Sequence, residues 1–86
     1  MAETPHLALG SRLLHLGSRL LRQWRTEKGL TQPEAAALLG MNFVQVSRFE
    51  RGAHPGLDTA LRIARVTDGA VPVESWAAED SAKHAS

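Results

Sequence analysis

Gln45 and Arg48 stand one helical turn apart, each followed by an apolar residue, Val46 and Phe49, in a chain of 86 residues with no cysteine. If this run is helical, Val46 and Phe49 take one side and the amide and guanidinium take the other. The guanidinium fork matches O6 and N7 of guanine, and a glutamine amide matches N6 and N7 of adenine. Other chemistries find no support. His6, His15, His54 and His84 show no paired spacing, and without cysteine a zinc site lacks its usual donors. There is no glycine-rich phosphate loop, no serine nucleophile motif and no clustered pair of carboxylates. These residues therefore predict no catalysis, no metal and no cofactor, and Gln45 and Arg48 read either as groups that could meet base edges or as ordinary surface.

To present that face, the run must be held by neighbours, and the preceding residues supply a holder. Thr31 and Glu34 have the spacing of a capping box, with Pro33 tolerated in the first helical turn. The helix they start continues through Ala35, Ala36, Ala37, Leu38 and Leu39 and stops at Gly40, which tolerates the positive φ of a tight turn. Met41 leads to Asn42, a good cap for the next helix, whose end is set by Gly52. A helix of about nine residues, a turn through glycine and a second helix make the helix-turn-helix arrangement over residues 31–52, with a reading helix from about Asn42 to Arg51. Ala36 supplies the small side chain where the two helices cross.

The remaining elements read as support. From Leu9 to Thr26, Leu9, Leu13, Leu14, Leu16, Leu20, Leu21 and Trp24 share one side of a helical wheel. Arg12, His15, Arg19, Arg22 and Arg25 occupy the other, and Lys28-Gly29 ends the helix. The run Leu9-Gly-Ser-Arg-Leu-Leu14 recurs at Leu16 to Leu21, and the offset of seven keeps both copies on one stripe. That stripe reads as a lengthened helix or as a surface for a second subunit or a protein partner. After the His54-Pro55-Gly56 turn, a further helix from Leu57 to about Thr67 is expected to bury Leu57, Ala60, Leu61 and Ala64. Asp68-Gly69 closes it, and a short fifth helix ending at Trp76 should cover the core with Val71. Trp24 and Trp76 lie on apolar faces and are expected in the core.

Composition agrees with one small domain. An apolar fraction of 43% suits a globular chain, and the length suits a single core. Residues 9–76 are expected to form it, between a flexible arm at 1–8 and a flexible acidic tail at 77–86. Between Arg12 and Arg65, nine basic residues face four acidic ones, whereas Val66 to Ser86 carries one lysine against four carboxylates. A basic body favours a polyanionic partner. No apolar run approaches the roughly 20 residues that cross a bilayer. An Arg-rich amphipathic Leu9 to Arg25 could lie on a membrane surface, but the helix-turn-helix that follows argues against it. Absence of cysteine fits a reducing cytoplasm.

Across Gly17 to Trp76 the chain resembles the Cro/repressor, or XRE-type, helix-turn-helix family. The matching residues are Arg25-Thr-Glu-Lys-Gly-Leu-Thr-Gln32, Ala36, Leu39-Gly-Met-Asn42 and Val46-Ser-Arg-Phe-Glu-Arg-Gly52. Ala60 to Ile63 and Thr67 to Val71 look like its Cro-like antitoxin and phage-regulator branch. The resemblance implies an all-α, four- to five-helix, lambda-repressor-like domain that binds duplex DNA as a homodimer and represses transcription in a bacterial or phage setting. The alternative it leaves is a protein-interaction module or antitoxin of the same fold. By position it implies that Phe43, Val44, Gln45 and Arg48 face base edges. Gln32, Asn42, Arg51 and His54 would meet phosphates, and Arg25 and Glu50 would form an ion pair between the first helix and the reading helix. Phe43 and Val44 are unusual on such a face; they could touch thymine methyl groups, and Phe43 could instead fold back or meet protein.

Overall fold

The computed structural model describes residues 16–77, and within them lie four α-helices and one 3₁₀ helix. Helix α1 spans Leu16–Glu27, α2 Gln32–Leu39, α3 Phe43–Glu50 and α4 Leu57–Val66, and the 3₁₀ helix spans Val73–Trp76. Among the described residues there is no strand. The first copy of the leucine repeat, with Leu9 and Leu13, falls outside the described residues.

Helix starts and stops follow local chemistry. Thr31 Oγ1 accepts from Glu34 N at 3.2 Å while Thr31 N donates to Glu34 Oε1 at 2.8 Å, which closes the expected capping box. Gly40 takes φ +73°, and Met41 N reaches back to Ala36 O at 3.0 Å, so the chain turns without an unpaired amide. Arg62 of α4 adds a clamp, its Nη1 donating to Gly40 O at 3.1 Å. Helix α3 has a second capping box, between Asn42 and Gln45.

The core is one cluster. Leu21 and Trp24 of α1, Ala35, Ala36 and Leu39 of α2, Val46 and Phe49 of α3, Ala60 and Ile63 of α4, and Val71 and Trp76 all bury in it. Trp76 meets Phe49 edge to face, with centroids 6.0 Å apart, so the 3₁₀ helix covers the core as expected. The approach of α1 to that indole depends on Gly17: a Cβ there would lie 2.4 Å from a Trp76 ring carbon. The buried α1 face therefore begins with the small pair Gly17 and Ser18 as well as with leucine, and Leu16 is 37% exposed.

The face of α4 differs from the sequence expectation. Leu57 and Leu61 are 67% and 42% exposed and Ala64 is half-buried, whereas Ala60 is buried as expected, together with Ile63 and Thr67. Positions 60, 63 and 67 form a helical stripe. Small Ala60 permits close packing, and this stripe continues into the chain that returns with Val71. Thr67 makes that join: Oγ1 donates to Ile63 O at 2.7 Å and accepts from Val71 N at 3.1 Å.

Candidate nucleic-acid interface

Helix α3 is gripped from behind and open in front. Val46, Phe49 and Glu50 are buried, and Phe43, Val44, Gln45, Arg48 and Arg51 are exposed. Spacing of four places Val44 and Arg48 on one line, with Gln45 beside them. The Arg48 guanidinium has no hydrogen bond or ion pair among the described residues, which leaves its fork available to a ligand. Phe43 is 51% exposed at the start of the helix, so it does not fold back into the core.

What fixes the orientation of α3 is a charged cluster beneath its C-terminal end. Arg25 Nε donates to Glu50 Oε2 at 2.6 Å and Nη2 donates to Oε1 at 3.0 Å, a bidentate pair. The third arm of the same guanidinium, Nη1, donates to Leu30 O at 3.0 Å and so ties down the loop before α2. The Glu50 side chain is fully buried. Burial pushes its carboxyl pKa up, but hydrogen bonds from Arg25 and Gln32, with the charges of Arg25 and Arg22, outweigh burial and hold it below the ordinary value. Arg25 is correspondingly raised, chiefly by its hydrogen bonding to Glu50.

Two members of this cluster went unseen in the sequence. Gln32 Nε2 donates to Glu50 Oε1 at 3.2 Å, and Arg22 Nε lies 3.6 Å from the same oxygen. Gln32 thus begins α2 with its amide aimed by a buried carboxylate and its second amide hydrogen still available. Neither contact has a sequence signal of its own, because residues 18 and 28 positions apart meet only through the fold. Asn42 and Gln45 are partners as well: Asn42 Oδ1 accepts from Gln45 N at 3.0 Å, and Asn42 N donates to Gln45 Oε1 at 3.4 Å. Arg51 caps the end of α3 through its backbone N–H, and exposed His54 follows in the connecting turn.

The structure therefore gathers Arg25, Glu50 and Gln32 into one cluster and sets Phe43, Val44, Gln45 and Arg48 on the open side of α3. Among the described residues, no group of three His, Asp or Glu side chains could hold a metal ion, and no helix is long and apolar enough to cross a membrane. The family model described as helix-turn-helix matches residues 21–71. No curated protein and no solved structure matches the chain.

Proposed function

Because the chain belongs to the XRE-type helix-turn-helix family of DNA-binding regulators, we propose that it reads duplex DNA by sequence and acts as a transcriptional repressor in a bacterial or phage cytoplasm. The observation that carries this reading is the two-sidedness of α3, buried along Val46, Phe49 and Glu50 and open along Val44, Gln45 and Arg48. In the major groove Arg48 pairs with guanine O6 and N7, and Val44 and Phe43 lie against thymine methyl groups. Gln32, Asn42, Arg51 and His54 hold the flanking phosphates, where helix starts offer N–H groups to anions.

A reading helix of eight residues is about 12 Å long and spans three or four base pairs, too little for a selective site. Specific binding then calls for a homodimer on a two-fold site, with half-sites about 34 Å apart. Selection from random duplexes at physiological salt tests this. A palindromic site with defined half-sites is expected; equal retention of all duplexes overturns it.

A second reading, a protein-interaction module or antitoxin, draws on half-exposed Phe43 and Val44. It expects Phe43→Ser to leave DNA affinity intact and to abolish capture of a protein partner.

A further inference from the structure

The capping box at the start of α3 has a consequence for base choice. Gln45 Oε1 faces the backbone N–H of Asn42 at 3.4 Å, and that backbone group can only donate, so the atom facing it must be the amide oxygen. Asn42 is oriented by the same logic, since its Oδ1 faces the Gln45 backbone N–H at 3.0 Å. Both side-chain carbonyls are turned back onto the helix start, and what they send outward is two NH₂ groups. Each can donate and neither can accept. The flanking Phe43 and Val44 are about half exposed and add only apolar surface.

We propose that Gln45 selects a base by donation alone, favouring guanine, which offers two acceptors, or thymine, over adenine, which offers N7 alone beside a donor, and excluding cytosine, which offers no acceptor. Two-atom recognition of adenine needs the glutamine oxygen to accept from N6 while its nitrogen donates to N7. In this chain turning that oxygen to the groove releases the Asn42 N–H at the first turn of the reading helix, where no other side chain caps it. Donation by Nε2 leaves the box closed, and guanine accepts it at both O6 and N7 and thymine at O4, whereas adenine accepts only at N7 and sets its N6 donor against the second amide hydrogen. Thymine adds a methyl group that exposed Val44, the neighbouring residue of the reading face, can cover.

The inference rests on the proposed reading of duplex DNA, and one experiment tells the two apart. Random-duplex selection is run with the full chain, Gln45→Ala and Gln45→Glu, and the position whose preference changes in Gln45→Ala identifies the base that Gln45 faces. Glutamate at this third helical position keeps the box, because its carboxylate still accepts from Asn42 N, but it sends no donor outward. Thermal unfolding of Gln45→Glu should therefore match the parent chain. Its charge lowers affinity for every duplex alike, so the ratio between bases at the one position is the quantity read. The expected result is guanine or thymine at that position in the parent chain, several-fold over adenine and with cytosine excluded, and in Gln45→Glu that preference is lost or moved to a base whose exocyclic amine donates, cytosine N4 or adenine N6. Adenine at that position, or an unchanged preference in Gln45→Glu, overturns the inference and leaves sequence reading intact. Absence of any selected site in the parent chain overturns the DNA-reading proposal itself, and the inference falls with it.

Discussion

At the scale of single residues, Glu50 carries more of the architecture than any other polar group described. Its carboxylate is buried and engages Arg25, Gln32 and Arg22, so three contacts to α1 and α2 converge on the end of α3. Glu50→Ala strands the Arg25 guanidinium and should cost about 3 kcal/mol or more, measured by urea unfolding at neutral pH. Its folded-state pKa lies below the ordinary 4.5, so the stability it contributes is present above that value and is lost as pH falls through the folded pKa. Acidification from pH 6 to pH 3 should therefore lower unfolding free energy more in the parent chain than in Glu50→Gln. Equal acid sensitivity would remove Glu50 from the account. Gln32→Ala, in contrast, should weaken binding to all duplexes by a similar factor and leave the salt dependence nearly unchanged, because a neutral amide releases no counterion. A salt series on two unrelated duplexes reads both effects.

At the scale of elements, the close approach of α1 to the 3₁₀ helix gives the sharpest expectation. Gly17→Ala improves helix propensity by up to about 1 kcal/mol, yet its Cβ would lie 2.4 Å from the Trp76 ring. Overpacking wins when rigid atoms must move, so net destabilisation of about 1 to 3 kcal/mol is expected in thermal or urea unfolding. Thr67→Val leaves the buried Val71 N–H without its acceptor and should cost a similar 1 to 3 kcal/mol, again about what an orphaned amide costs. Helix ends were legible in the sequence because they are local: Thr31 with Glu34, Gly40, and Asn42 each act within a few residues of themselves. The Arg25–Glu50 pair was legible only through family resemblance. Faces set by tertiary packing were less so. Leu57 and Leu61 have the spacing of a buried stripe, but α4 turns the side of Ala60 and Ile63 inward, and hydrophobicity without a partner's position cannot choose between the two sides. Gly17 was the overlooked clue, since a glycine inside a helical pattern costs stability unless another group comes close.

At the scale of the whole molecule, the account requires a two-fold assembly on DNA. Sedimentation at micromolar concentration should give a dimer, alone or on a two-fold duplex, and polar replacement of Leu9 and Leu13 should weaken it; an unchanged dimer would remove the leucine repeat from the proposed contact. A monomer on half-site and two-fold duplexes alike would set the dimer aside. Central to all of this is the orientation of the domain on the duplex, with the open side of α3 toward the bases. The most direct measurement is the affinity of the parent chain and Arg48→Ala for the selected site and each of its single-base substitutions, at several salt concentrations. The account predicts a loss of about 1 to 3 kcal/mol on the selected site, with discrimination flattened at one base pair. A uniform loss on every duplex, with the salt slope lowered by about one, would make Arg48 a phosphate contact and contradict the orientation.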